Sequence, residues 1–243
     1  MKTILTLGDS HTFGAEILGP DEWGEENKEF AFPSKIKDLL GYDTVDNLGI
    51  SGASIMYVQR ALVDYLSSNP KPDLVIIGWT CLGRMEYCNG FQDNGEYEYR
   101  MCTSWNNPGW DKEHKQVYDR LLPQMISDDL LAEKYRTHIR CSALLDSLRI
   151  PHIFFDVMEN TKKEAPLSGE GEDGVNKLWS GNHPLDKKLY NFINKNNYIE
   201  NTNYWDYCQD KPNVKTNGGH YNEWAHTHWA DYLIKQLNKK RIL

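Results

Sequence analysis

The sequence predicts an α/β protein in which a mostly parallel central sheet lies between two layers of helices, a three-layer α/β/α sandwich. Three observations predict it. Short apolar runs alternate with segments of helical periodicity. The runs are continuous, as in strands buried on both faces, where a half-solvated strand would be apolar only at every second residue. Several end directly in polar or glycine-containing loops, GDS, NLGISG and GWT, of the kind that gathers at the carboxyl edge of a parallel sheet.

TILTL, residues 3–7, is the first strand, and it opens into Gly8-Asp9-Ser10. A helix starting near Pro33 and closing on Gly41 leads to the second strand, TVDNL at 44–48. Ile55, Val58, Leu62 and Tyr65 recur at helical spacing, and Pro70 and Pro72 break the chain before DLVIIGW, the strongest strand. A long helical region ending in IRCSALLDSL precedes the strand RIPHIFFD at 149–156. Ala225, Trp229, Leu233 and Leu237 form the stripe of a last helix, whose Lys239, Lys240 and Arg241 suit a helix C-terminus. Two stretches depart from the alternation and read as insertions on the loop edge: 82–115, rich in aromatics, and 160–186, polar and glycine-dotted.

The 243 residues, 40% of them hydrophobic, suffice for one sizeable core, so one domain spanning 1–243 is expected. A net charge of −8 with no basic block argues against nucleic acid as a partner. Cys81, Cys88, Cys102, Cys141 and Cys208 make an odd number without a C-x-x-C pair, so neither a disulfide framework nor a zinc site is indicated. The apolar stretch Ile4–Leu7 is too short for a signal peptide and no run reaches membrane-spanning length, from which a cytoplasmic location and no membrane partner are expected. No cofactor or metal is expected, and oligomeric state is not legible.

A serine hydroxyl becomes a nucleophile only when a base takes its proton, and its attack on a carbonyl needs donors for the oxyanion. Ser10, at a strand-to-helix turn, exposes its hydroxyl and offers its own N–H. His11 is too near in sequence to serve as its base and reads as a pocket-wall residue. His220, on the Gly218-Gly219 loop before the last helix, is the better base, whereas His226 and His228 read as packing or surface residues.

GDSHTFG, NLGISGAS and GGHYNEWAH, in this order, resemble the first, second and last blocks of the SGNH, or GDSL-like, hydrolases. The resemblance implies a flavodoxin-like sandwich, the SGNH hydrolase fold, and a serine esterase. It implies Ser10 as nucleophile and oxyanion donor, Gly52 as a second donor and His220 as general base. Asn47 and Gly49 shape the second loop. In the third block, normally G-x-N-D, Thr80 stands where the oxyanion asparagine is expected. Asn217 stands where the acid of D-x-x-H is expected; it could orient His220 itself, or a carboxylate such as Asp210 or Glu223 could approach instead. Asp9, His11, Trp79 and Arg84 are the candidate substrate contacts, Arg84 for an anionic group. The R-x-E of Arg84 and Glu86 also resembles phage-encoded members of the family.

The expected function is hydrolysis of small acyl esters, O-acetyl groups on a carbohydrate above all, through a Ser10 acyl-enzyme. The alternatives are an O-acyltransferase using the same residues and a binding or virion-associated domain whose catalysis has weakened, the latter motivated by Thr80 and Asn217.

Overall fold

The computed structural model describes residues 1–20, 23–92, 97–103, 112, 115–117, 119–120, 130–158 and 184–243. Its centre is a parallel sheet of β1 (Thr3–Leu7), β2 (Thr44–Asn47), β3 (Leu74–Trp79) and β6 (His152–Asp156), in the order β2-β1-β3-β6. Beyond β6 the backbone of Tyr198 adds one more parallel bridge: the Phe154 N–H donates to the Asn197 carbonyl at 2.8 Å and the Ile199 N–H to the Phe154 carbonyl at 2.9 Å.

Helices cover both faces, and the strands sort their residues between them with period two. Leu5, Leu7, Val75, Ile77, Trp79 and Phe154 face α4 (Ile55–Ser68) and α5 (Leu130–Ser147). Ile4, Leu74, Ile76, Ile153 and Phe155 face α3 (Phe32–Leu40) and α8 (Glu223–Lys239), where the expected stripe of Ala225, Trp229, Leu233 and Leu237 is fully buried. Both faces being covered is why the strands are apolar throughout. The expected ends of α3 hold, Pro33 lying in its first turn and Gly41 closing it, and the Ser54 hydroxyl accepts the Tyr57 N–H at 3.0 Å to cap α4.

Short helices decorate the loop edge: α1 (Ser10–Phe13), α2 (Asn27–Phe30) and α7 (Tyr204–Cys208), with α6 (Pro184–Phe192) packed on α5. The first insertion begins as an antiparallel hairpin, β4 (Arg84–Phe91) and β5 (Tyr97–Thr103), tied to α4 by a two-point pair of Arg60 with Glu86 at 3.0 and 2.5 Å. Most of the rest of that insertion, and all of 160–186 before Pro184, lie outside the described residues. A two-residue ladder, β7 (Thr216–Asn217) against β8 (His220–Tyr221), precedes α8. Among the described residues no helix is long and apolar enough to cross a membrane.

Candidate active site

β1 and β3 lie side by side, yet one leads into α1 and the other towards the β4–β5 hairpin, so the carboxyl ends of these two strands are where the ligand crevice of such a sheet is expected. Ser10 begins α1 at the mouth of β1, and its hydroxyl donates to His220 Nε2 at 2.8 Å. The imidazole arrives from the opposite end of the chain on β8. Its Nδ1 donates to Glu16 Oε2 at 2.6 Å, and because a carboxylate only accepts, Nε2 is left as the acceptor facing Ser10. The Gly219 N–H donates to the same Glu16 oxygen at 2.9 Å. Ser10, His220 and Glu16 thus form a continuous hydrogen-bonded chain of hydroxyl, imidazole and carboxylate.

Glu16 is the residue that sequence reasoning missed. It lies six positions after Ser10, past the single turn of α1, with a positive φ of 59° that a non-glycine residue seldom adopts. Gly218, also left-handed at φ 56°, makes room for it: a Cβ there would stand 2.3 Å from Glu16 Oε1. The carboxylates proposed from sequence sit elsewhere, Glu223 pairing with Lys35 at 2.5 Å and Asp210 exposed. Asn217 pairs through its backbone with His220 in the β7–β8 ladder, and the group at Nδ1 is a carboxylate from elsewhere in the chain, Glu16, in place of Asn217, Asp210 or Glu223.

The second loop is fastened to the nucleophile turn. Asn47 Nδ2 donates to the Thr12 carbonyl at 2.8 Å, its Oδ1 accepts the Gly49 N–H at 2.9 Å, and the Ile50 N–H donates to the Gly8 carbonyl at 3.3 Å. Gly52 follows with φ 76°. Neither its N–H nor that of Ser10 has a protein acceptor among the described residues, as oxyanion donors require.

Four of the sequence-based candidates stand differently from expectation. The Thr80 hydroxyl hydrogen is directed to Asp9 Oδ2 at 3.1 Å, so in this arrangement it is not offered to an oxyanion. Asp9 is fully buried; its Oδ1 caps α1 by accepting the His11 N–H at 3.0 Å, which makes it a support for the turn and not a substrate contact. Arg84 does not point to a substrate anion, because its Nη1 donates to Asp9 Oδ2 at 3.1 Å and to Thr80 Oγ1 at 2.8 Å. Trp79 is buried on the α4–α5 side, stacked on Phe154 and donating from Nε1 to His138 Nδ1 at 3.0 Å. Its parity with Val75 and Ile77 turns it away from the crevice.

His11 is buried among aromatic rings beside His220. Its ring lies 4.7 Å from that of His220, 5.4 Å from Tyr204 and 5.7 Å from Trp205, and burial pushes its pKa down to about 4, leaving it neutral. Trp23, half-exposed, sets its edge against His220 at 5.4 Å and is the aromatic that flanks the base from the solvent side. His226 is buried, its Nδ1 accepting the Phe32 N–H at 3.2 Å, and His228 Nε2 reaches the Pro212 carbonyl at 3.2 Å; the two are not a ligand pair. Among the described residues no group of three His, Cys, Asp or Glu side chains is placed to hold a metal ion. Beside the site, a cavity of about 630 Å³ opens between α4, the β4–β5 hairpin and α5, with Ile55, Leu82 and Arg84 on its wall.

No protein-family model matches the chain, and no curated protein sequence does. Among solved structures the chain is similar to an acetyl-xylooligosaccharide esterase from Geobacillus, with 14% identity, 97% of this chain and 94% of that one covered, and a TM-score of 0.50. A member of the lipolytic G-D-S-L family from Veillonella parvula gives 13% identity, 97% of both chains and a TM-score of 0.49. A psychrotrophic esterase from Pseudoalteromonas gives 15%, 98% of both and 0.46. At such identities the likeness is one of fold, and the fold is that of the SGNH, or GDSL-like, hydrolases.

Proposed function

We propose that the chain is a serine carboxylic-ester hydrolase acting on small acyl esters, with O-acetyl groups on a carbohydrate as its substrate class. The observation that carries this reading is the unbroken Ser10–His220–Glu16 hydrogen-bond chain at the carboxyl edge of the sheet. In the reaction, Ser10 Oγ attacks the ester carbon while its proton passes to His220 Nε2. The negative charge on the carbonyl oxygen is met by the Ser10 and Gly52 N–H groups, and Glu16 stabilises the imidazolium. Collapse expels the alcohol, which takes the proton from Nε2 and leaves an acyl-Ser10. Water then attacks with His220 again as base, releasing the acid and restoring the serine. The steps use three side chains, two backbone N–H groups and water.

The half-exposed Trp23 beside His220 supports a carbohydrate on the leaving-group side, since the base protonates the alcohol there and a flat ring suits the apolar face of a sugar. The weakened-domain alternative drew on Thr80 and Asn217: Glu16 supplies the carboxylate that Asn217 lacks, while the Thr80 hydroxyl, committed to Asp9, leaves the oxyanion to the two backbone N–H groups. A fluorophosphonate probe is expected to label the wild type and not Ser10→Ala, and the wild type is expected to release acetate from acetylated xylo-oligosaccharides. Absence of both labelling and acetate release in folded wild-type protein defeats the proposal.

A further inference from the structure

Arg84 has no role in the chemistry just described, yet it is held at the nucleophile turn. Asp9, the residue before Ser10, is 0% exposed, and the Arg84 side chain is 11% exposed. Asp9 Oδ1 accepts the His11 N–H, and Oδ2 takes both the Thr80 hydroxyl and Arg84 Nη1 at 3.1 Å. The same guanidinium nitrogen also donates to Thr80 Oγ1 at 2.8 Å. Among the described residues Arg84 is the one cation within ion-pair distance of Asp9.

A second observation gives this pair a consequence. The Thr80 hydroxyl hydrogen is committed to Asp9, so two backbone N–H groups remain to meet the oxyanion, and one of them belongs to the residue adjoining a buried carboxylate. Charge building on the substrate oxygen therefore develops close to a carboxylate shielded from water. Two like charges a few ångströms apart, at an effective dielectric constant of about 20, repel enough to slow a step by on the order of a hundredfold.

We infer that Arg84 is an electrostatic positioning residue for acyl transfer at Ser10: its guanidinium neutralises the Asp9 carboxylate so that negative charge can accumulate at the neighbouring oxyanion site. The inference rests on the ester-hydrolase reading. It assigns the cation to Asp9 and the reaction centre, and not to a substrate anion.

The test separates charge from shape. Steady-state kinetics on p-nitrophenyl acetate, with thermal melts to confirm folding, are measured for the wild type, Arg84→Gln, Arg84→Lys, Asp9→Asn and the double variant Asp9→Asn/Arg84→Gln. Arg84→Gln is expected to lose on the order of a hundredfold in kcat with KM within about threefold. Arg84→Lys keeps the charge and is expected within about tenfold of wild type. The double variant, with both charges gone, is expected to recover at least about tenfold over Arg84→Gln, an improvement that a merely structural tie would not produce. Asp9→Asn, which leaves the cation in place, is expected to retain at least about a tenth of the wild-type kcat.

Arg84→Gln retaining more than about a third of the wild-type kcat overturns the inference, as does a folded double variant no faster than Arg84→Gln. Should Arg84→Gln fail to fold, the double variant decides: within about tenfold of wild type sustains the inference, and a loss of a hundredfold or an unfolded chain overturns it. Wild-type protein without ester turnover or Ser10 labelling defeats the parent reading, whereas intact turnover indifferent to Arg84 defeats this inference alone.

Discussion

Glu16→Gln removes one charge from the site while keeping the side chain's length. In the structure the carboxylate oxygen stands 2.6 Å from His220 Nδ1, and the two side chains are 6% and 12% exposed, so water screens them little. With charge centres about 4 Å apart and an effective dielectric constant of about 20, the carboxylate stabilises the imidazolium by about 4 kcal/mol. The glutamine carbonyl can still accept the Nδ1 hydrogen and recovers about 1 kcal/mol of this. The remaining 3 kcal/mol or so corresponds to a loss of on the order of a hundredfold in kcat, with KM little changed because the lost charge acts on the imidazolium that forms in the transition state. Release of p-nitrophenol from the acetyl ester at pH 8, followed to saturation, reads both constants. A variant keeping more than about a third of the wild-type kcat refutes the assignment, and so does an Asn217→Ala variant that is slower than Glu16→Gln.

Gly218→Ala drives a methyl group towards the Glu16 carboxylate, at 2.3 Å from Oε1, in a left-handed backbone; kcat is expected to fall at least about tenfold, with the Nδ1 proton resonance of His220 shifted in the NMR spectrum. Thr80→Val deletes a hydroxyl that serves Asp9 and Arg84; it is expected to cost about 1–3 kcal/mol in urea unfolding and less than tenfold in kcat, whereas an oxyanion donor would cost a hundredfold or more. Acid lability follows from His11. Its pKa, lowered by burial to about 4, lies below the 6.5 of the unfolded chain, so the unfolded state binds more protons between those values. Stability is fully present above pH 6.5 and is lost as pH falls through 4, by about 3 kcal/mol from this group, and His11→Phe is expected to flatten that part of the unfolding profile measured from pH 7 to 4.

The parallel strands were legible because each is buried on both faces, and burial writes itself as a continuous apolar run. Ser10 and His220, whose side chains meet in the structure, could be singled out because their blocks are short, local and in order. Glu16 was not, although it stands in the same opening stretch. Nothing periodic marks a carboxylate in a loop, and its partner is 204 positions away. Trp79 shows the opposite failure. Its place at the end of β3 suggested the crevice, but strand alternation with Val75 and Ile77 assigns it to the α4–α5 face, and that parity was readable from the sequence. Thr80 and Arg84 lie beside Asp9, the residue before Ser10. Their service to Asp9 depends on a buried carboxylate whose need for partners appears only once its surroundings are known.

That the acid comes from the segment carrying the nucleophile changes what the far end of the chain must supply. On the proposed reading, the stretch around the β7–β8 ladder has one errand, the delivery of a single imidazole, and Asn217 is released from the duty that its position in the block suggests. Cleavage of the backbone between the sheet and that ladder would therefore leave a fragment holding both oxygens of the relay and no base. Activity restored by adding back the separate terminal piece would mark the machine as separable at that seam.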